Sequence, residues 1–266
     1  MKIRKVLSLL TLAALGFALA PSALAADLTD VGFIDQAAIG ALPQFQRANA
    51  QVAQYKSQLD AQYAAAARGK SQADQQRLAG PYQEKFFNRQ RQVLGPLFAR
   101  AQAAIAQTAS NQRLSVIVDK RIVVFGGQDI TKNVIDLINE PGTVIPPTAT
   151  PPPSEIGFVD QGQIDQVPKI KQANDDFVKY AASQRQNAIK QMQGAKNNPQ
   201  QQQQIFQSYQ KQVSAQQDKS LKPLVDQTRN AISKVAQQKN LILVVDRSDV
   251  IYGGTDITQD VQNALK

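Results

Sequence analysis

The two halves of the chain repeat each other, and this internal repeat restricts the fold more than any other sequence feature. Residues 31–49 return as residues 156–174 with 8 of 19 positions identical. Residues 95–131 return as residues 222–258 with 14 of 37 positions identical. The first block repeats after 125 residues and the second after 127, so the length difference falls between the blocks. Two blocks in the same order predict two tandem domains of similar fold.

A proline-rich segment separates the two copies. Residues 141–154 contain six of the 13 prolines. Proline-rich chains extend by ~3.1 Å per residue, so this segment would span about 40 Å as a semi-rigid spacer. A ligand for a proline-binding groove is the alternative interpretation. We predict a first unit over residues 26–140, a linker over 141–154 and a second unit over 155–266.

The first 25 residues have the composition of an export signal. Three basic residues precede an apolar run over residues 6–20, and residues 23–25 form a small-x-small cleavage site. A retained membrane span is the alternative, but the run is shorter than the ~20 residues that a span requires. We therefore predict a signal peptide over residues 1–25 and an exported chain that begins at Ala26. No other apolar run approaches spanning length.

The composition removes most enzyme classes. The chain has no cysteine and no histidine, which excludes thiol nucleophiles, thiolate metal sites and the usual general base. It also lacks the common glycine-rich phosphate-binding motifs. We expect no enzyme activity, no cofactor and no metal.

The charge is positive but evenly spread. Loss of the signal peptide would lower the net charge from +9 to +6, with +3 on each half. Such a balance favours acidic clients or anionic surfaces. It lacks the clustered basic stripe of a nucleic-acid binder, so we expect no nucleic-acid partner.

Each copy predicts an α+β unit: a short strand, a long helical hairpin, two further strands and a short C-terminal helix. After Pro43, apolar residues recur at alternating spacings of three and four, which is the seam period of a coiled coil. The hairpins turn at residues 68–72 and 194–199, and Gly80-Pro81 is a possible further interruption. Pro96 and Pro223 occupy equivalent positions, where either a kink or a break into two helices is possible.

Aromatic residues along these two arms are the candidate contacts for a bound polypeptide. They are Tyr55, Tyr63, Tyr82, Phe86, Phe87, Phe177, Tyr180, Phe206 and Tyr209.

The strands at the end of each copy are the candidate assembly surface. Residues 241–245 are almost wholly apolar, which predicts a strand covered on both faces, with residues 250–252 pairing back onto it. Thr131 and Thr258 are the predicted N-caps of the short helices. Because so small a sheet leaves open edges, we expect oligomerisation through it. The candidate oligomer-core residues are Val116, Val118, Val123, Phe125, Leu243, Val245, Val250 and Tyr252.

Four aspartates, two at equivalent positions in each copy, are the strongest candidates for catalytic residues. Asp35 and Asp160 follow the opening strands, and Asp119 and Asp246 follow the apolar closing strands. A paired-carboxylate hydrolase would use such acids. However, aspartate commonly ends strands and caps turns through its own side chain, and we favour this second interpretation.

Both copies carry residues that resemble the Skp/OmpH family of periplasmic chaperones for outer-membrane proteins. The resemblance covers residues 31–139 and 156–265 but not the linker. The residues that carry it are the opening strand Gly157–Asp160 and the closing segments Leu241–Asp246, Val250–Tyr252 and Asp256–Thr258, followed by Val261 and Leu265. The resemblance implies a trimer, with a central barrel of strands and helical arms that surround an unfolded membrane protein. The family's usual chain holds one unit, whereas this chain holds two.

These features lead to one function hypothesis and one alternative. The first is an ATP-independent periplasmic holdase that keeps unfolded outer-membrane or envelope proteins between its arms. The alternative is a structural coiled-coil spacer of the cell envelope. A small-ligand binding protein would need an apolar pocket, which thin hairpins do not provide.

Replacing Val244 with Asp should break the assembly, because it places a charge in an apolar strand. Gln202→Ala, on the solvated part of an arm, should leave the assembly unchanged. Sedimentation of both variants measures the effect, and equal masses for the two would contradict assembly through the strands.

Overall fold

The computed structural model describes residues 28–195 and 198–266. The signal peptide predicted over residues 1–25 lies outside them. The described residues form two compact units. The amino-terminal unit comprises residues 28–153 and Asp249–Gly253, and the carboxy-terminal unit comprises Ser154–Ser248 and Gly254–Lys266.

The amino-terminal unit combines a small sheet with a long helical hairpin. Its elements are β1 (Val31–Ile34), α1 (Gln36–Gly40), α2 (Pro43–Ala67), α3 (Gln72–Gln112), β2 (Val116–Asp119), β3 (Gln128–Asp129), α4 (Thr131–Asn139) and β6 (Val250–Gly253). The strand order is β3-β1-β2-β6. β1 lies parallel to both β2 and β3, while β6 runs antiparallel to β2.

The core of this unit lies between the sheet and the helices beside it. Ile34 of β1 and Ile117 of β2 are fully buried, as is Ile130, which precedes α4. They pack with the base of the hairpin, where Phe45 and Ile105 belong to the same cluster. Burying large apolar side chains contributes roughly 1.5–3 kcal/mol each. The sheet and the helices packed on it, here called the body, are therefore the most stable part of the unit.

A repeated Asp-Ile-Thr sequence joins the short helix to the end of the first strand. The Thr131 hydroxyl accepts a hydrogen bond from the Asp35 amide at 3.0 Å, and the Asp129 carboxylate accepts one from the Thr131 amide at 3.0 Å. The predicted N-cap role of Thr131 is therefore wrong, since Ile130 is the N-cap and Thr131 is the first helical residue. The Thr131 hydroxyl instead accepts the hydrogen bond from the Asp35 amide, which lies far away in the sequence. Thr258 and its neighbours repeat this arrangement in the other unit.

Arg100 fixes α4 against α3. Its guanidinium donates to the carbonyl oxygens of Ile138 at 2.7 Å and Leu137 at 3.2 Å, and also to those of Glu140 and Gly142. The Leu137 and Ile138 carbonyls lie in the last turn of α4, where they have no partner within the helix and where the dipole favours a cation.

The hairpin of the amino-terminal unit turns over residues 68–71, close to the predicted position. Ser71 caps α3 by accepting a hydrogen bond from the Asp74 amide at 3.2 Å. α3 then runs for 41 residues with Pro81 and Pro96 inside it, so Gly80-Pro81 does not interrupt the helix. Along the seam, Ala48 and Val52 pack against α3 and are buried, as the period predicts.

The carboxy-terminal unit contains β4 (Ile156–Val159), α5 (Gln161–Ile164), α6 (Pro168–Gly194), α7 (Pro199–Ser220), α8 (Lys222–Gln238), β5 (Leu243–Asp246), β7 (Thr255–Asp256) and α9 (Thr258–Ala264). The strand order is β5-β4-β7, with β4 parallel to both neighbours. Ile164, Val159 and Ile257 are almost fully buried in its core. Pro223 lies in the first turn of α8, directly after α7 ends. The two equivalent prolines thus differ: a continuous helix passes through Pro96, and Pro223 begins a new one.

The pairing predicted for residues 250–252 is wrong. These residues form β6, which pairs with β2 instead of returning onto β5. Val116 lies opposite Gly253, Ile117 opposite Tyr252 and Val118 opposite Val250, with a bulge between Ile117 and Val118. A strand from the second half of the sequence therefore completes the sheet of the amino-terminal unit.

Because β6 pairs with β2, β5 is less covered than predicted. All four residues of β2 are buried. In β5, Leu243 is exposed and the other three residues are only partly buried. The prediction of a strand covered on both faces fits β2 and is wrong for β5, because within the described chain β5 pairs with β4 alone.

The structure is α+β, with long helices and small sheets. None of the helices formed by the described residues is both long and apolar enough to cross a membrane.

Gly253→Ala should destabilise the amino-terminal unit by more than about 1 kcal/mol. Gly253 has a φ of +67°, and an added Cβ would overlap the carbonyl oxygen of Ser115 in the neighbouring strand. Gly40→Ala is the matched control, because Gly40 ends α1 in the same unit, has no positive φ and has nothing near its missing Cβ. The control should not be destabilised, because alanine is the better helix former. Urea unfolding measures both, and a Gly253→Ala protein as stable as wild type would contradict the tight β2–β6 approach.

Candidate functional site

The helical arms are the first candidate site, and several aromatic residues of the amino-terminal arm hold its two helices together. In the amino-terminal unit, Tyr63 and Tyr82 pack edge to face with ring centroids 5.6 Å apart. The Tyr63 hydroxyl also donates to the Gln75 carbonyl oxygen at 3.1 Å. Arg89 lies over the Tyr55 ring, 5.9 Å from its centroid. These contacts stabilise the hairpin, with those of Tyr63 closest to the turn.

Two of the nine predicted contact residues are exposed. Phe87 is 56% and Phe206 48% exposed. The remaining seven are half-buried: Tyr55, Tyr63, Tyr82, Phe86, Phe177, Tyr180 and Tyr209. Contact between any of the nine and a bound polypeptide stays a prediction.

Three apolar side chains of the arms that are not among the predicted contacts are also exposed. They are Phe98, Val178 and Ile189. Val178 and Ile189 each follow a seam position directly, so a search for large apolar residues outside the three-four period would have found them. Phe98 lies within that period, and its ring packs edge to face with the buried Phe45 at a centroid distance of 5.8 Å. Together with Phe87 and Phe206 they give the arms scattered apolar points on a polar surface. A surface of this kind suits many weak contacts with an extended chain.

The arm of the carboxy-terminal unit is the more thinly packed of the two. α7 has no buried residue. In α6 only Ile170 and Ala188 are buried, and Ala195 is buried at the turn. Ion pairs such as Lys171–Asp175 at 2.9 Å join neighbouring turns of one helix on its exposed side, and such pairs contribute little to stability. Local opening of this arm therefore costs little free energy.

The sheet of the amino-terminal unit places three carboxylates along one edge. Asp35 follows β1, Asp119 ends β2 and Asp129 ends β3, because parallel strands bring their carboxyl ends to the same side. The Lys120 ammonium nitrogen lies 3.9 Å from an Asp35 oxygen and 3.8 Å from an Asp129 oxygen. The cation thus offsets repulsion between these two carboxylates.

The four duplicated carboxylates all accept hydrogen bonds from backbone amides a few residues later. Asp35 accepts from Ala38, Asp119 from Arg121, Asp160 from Gln163 and Asp246 from Ser248, at 2.8–3.1 Å. This geometry fits the strand-terminating interpretation. In residues 28–195 and 198–266, no group of acidic side chains is arranged to hold a metal ion.

Asp119 is the one of these carboxylates that is almost fully buried. Its side chain accepts from the Arg121 guanidinium at 3.0 Å and from the Gln36 amide at 2.7 Å. Burial alone would raise the pKa of Asp119, but the hydrogen bonds from Arg121, its positive charge and the Gln36 contact together hold that pKa below its usual value of 3.8. The site lies against Ala37 and opens to solvent, and its geometry is that of a satisfied structural carboxylate.

The second candidate site is the assembly surface, and the structure distributes its eight predicted residues unevenly. Val116, Val118 and Val250 are buried within the amino-terminal unit. Val123, Val245 and Tyr252 are partly buried, whereas Leu243 and Phe125 are exposed. Residues 123–125 do not form the predicted strand. Participation of the eight residues in an oligomer core stays a prediction.

Comparison with known proteins adds one match. Residues 160–265 match the family described as outer membrane protein (OmpH-like). The matched segment begins at the carboxylate after β4 and contains the whole arm of the carboxy-terminal unit. The OmpH-like match supports the resemblance to the Skp/OmpH family that the strand and arm residues indicate. No curated protein and no solved structure matches the chain.

Asp119→Asn should lower the free energy of unfolding by about 1–3 kcal/mol at neutral pH, because it leaves buried groups with poorer partners. The folded-state pKa is below 3.8, so the carboxylate contributes stability above that pH and loses it as the pH falls through the lower folded value. Urea unfolding from pH 6 to pH 3 measures this.

Asp246→Asn is the matched control at the equivalent position of the carboxy-terminal unit, and its effect should be smaller. Equal effects of the two substitutions would contradict a special role for the Asp119–Arg121 pair.

Proposed function

We propose that this protein is a periplasmic holdase chaperone that keeps unfolded outer-membrane or envelope proteins from aggregating. The client binds between the helical arms and is released without ATP. The observation that carries the proposal is the arm over α6 and α7. It lies within the OmpH-like segment, has almost no core of its own and presents Phe206, Val178 and Ile189 to solvent.

The chemistry of the arms suits an unfolded client. Exposed apolar side chains are separated by glutamine, alanine and lysine, so each contact is weak and no sequence is selected. Clients with more acidic than basic residues are attracted by the net positive charge. Because the arms have low local stability, they can adapt to clients of different size.

We further propose that the chain carries two Skp-like units. The sequence repeat supports this, as do the matching strand arrangements, with β1 parallel to β2 and β3 and β4 parallel to β5 and β7. Two arms joined by a proline-rich linker would raise the effective concentration of the second arm once the first has bound, which favours long clients. The resemblance also supports a homo-oligomer, with a trimer as the family's usual form.

The proposal includes a location and a mode of action. An export signal at residues 1–25 would deliver the chain to the periplasm, where ATP is absent. The protein acts as a binding protein and not as an enzyme. In support, its duplicated carboxylates are committed to backbone hydrogen bonds and it has no histidine or cysteine.

Purified protein in stoichiometric amount should suppress the aggregation of an outer-membrane β-barrel protein diluted from urea. Light scattering measures the suppression, and ATP should not change it. Unchanged scattering would contradict the holdase proposal. Co-sedimentation with isolated cell wall, together with unchanged scattering, would favour the envelope spacer instead.

Phe87→Ser combined with Phe206→Ser should weaken the suppression several-fold, because the substitutions remove the two exposed predicted aromatic contacts. Ile145→Ser is the matched control, since Ile145 is an exposed apolar residue of the linker and not of an arm. Equal loss in both variants would show that the arms are not the binding surface.

A further inference from the structure

The pairing of β6 with β2 provides a template for a second strand pairing. β6 covers the outer edge of β2, and its Ile251 and Tyr252 pack against the core of the amino-terminal unit. With β6 in place, Val116 and Ile117 are fully buried. The template thus consists of an acceptor strand and a short antiparallel donor that ends at a positive-φ glycine, Gly253.

The first half of the sequence contains a counterpart of this donor. Residues 123–126 occupy the repeat positions of residues 250–253, with the sequence Val-Val-Phe-Gly in place of Val-Ile-Tyr-Gly. Val124 is 100% and Phe125 96% exposed. Gly126 has a φ of +85°, close to the +67° of Gly253. An apolar strand-forming sequence with the template's terminal conformation is therefore present in the described chain without a strand partner.

The second half contains a counterpart of the acceptor. β5 occupies the repeat position of β2 and pairs with β4 in the register that β2 uses with β1. Leu243 is 46% exposed where its counterpart Val116 is 0% exposed, and Val244 is half-buried where Ile117 is fully buried. Exposed, apolar edge strands of this kind recruit further strands.

We propose that residues 123–126 of one copy pair antiparallel with β5 of a second copy, in the register of β6 on β2. Val123 then lies opposite Val245, Phe125 opposite Val244 and Gly126 opposite Leu243. The bulge falls at Val124. Among the described residues, 123–126 is the segment that repeats the sequence and terminal conformation of the strand on the equivalent edge. It forms no strand within its own chain, so a second copy is the occupant.

This pairing has a consequence for how chains assemble. Each chain offers one donor and one acceptor, so the contact is head-to-tail and propagates until a ring closes. A closed ring of whole chains holds two units per chain and thus an even number of units. A three-unit ring with every edge filled cannot be built from whole chains. The pairing requires no client, so it can be tested apart from the holdase proposal.

Engineered cysteines test the pairing directly, since the chain has no cysteine of its own. Phe125→Cys and Val244→Cys chains, mixed and oxidised, should form a disulfide-linked species of two chains on a non-reducing gel. Each variant alone should form little of it. Ile145→Cys mixed with Val244→Cys is the matched control, because Ile145 is an exposed apolar residue outside the donor. A yield no higher than in this control would overturn the proposal.

The mass of the protein provides a second readout. Phe125→Asp should reduce the mass in sedimentation to that of one chain, whereas Ile145→Asp should retain the wild-type mass. The donor side chain is exposed within its own chain, so this substitution should leave the fold and its circular dichroism unchanged. A Phe125→Asp protein with the wild-type mass, or a wild-type protein that sediments as one chain, would refute the pairing.

Discussion

The antiparallel contact between β2 and β6 is the interaction on which the amino-terminal unit depends. It joins the closing segments of the two sequence copies, buries Val116 and Ile117 completely and positions Ile251 and Tyr252 against the core. The same contact explains the contrast between the two sheets. Once β6 belongs to the first sheet, the second sheet keeps three strands and an exposed edge at Leu243. β2 and β5 have similar sequences but different burial. This difference therefore arises from the position of one strand, β6, and not from the composition of either unit.

The arms and the bodies of the units have different physical roles. The bodies have apolar cores and are held by hydrogen bonds that occur in both units, such as the one from the Asp35 amide to the Thr131 hydroxyl. The arms have one seam, reinforced by an aromatic pair in the amino-terminal unit and by very little in α7. Low local stability in the arms is compatible with binding a disordered partner, because the body supplies the stability that the arms lack.

Sequence patterns predicted the local elements well and the long-range pairing poorly. The three-four spacing located the seam at Ala48 and Val52, and strand-ending aspartates were expected to bind backbone amides. Two outcomes depend on tertiary context and could not be predicted. Identical spacing gives a continuous helix through Pro96 and a new helix at Pro223. An apolar segment such as residues 250–252 indicates a strand but carries no information on which edge it joins, and β2 and β5 present nearly the same sequence to it.

The late position of β6 in the chain has a consequence for the order of folding. β2 is complete at Asp119, but its covering strand begins at Val250, after the linker, an entire arm and β5. A chain that emerges from its amino terminus keeps the apolar edge of β2 open until almost the last residues have appeared. Closing so long a loop is slow relative to helix formation. Truncation near the carboxyl terminus would therefore damage the half of the protein that is made first.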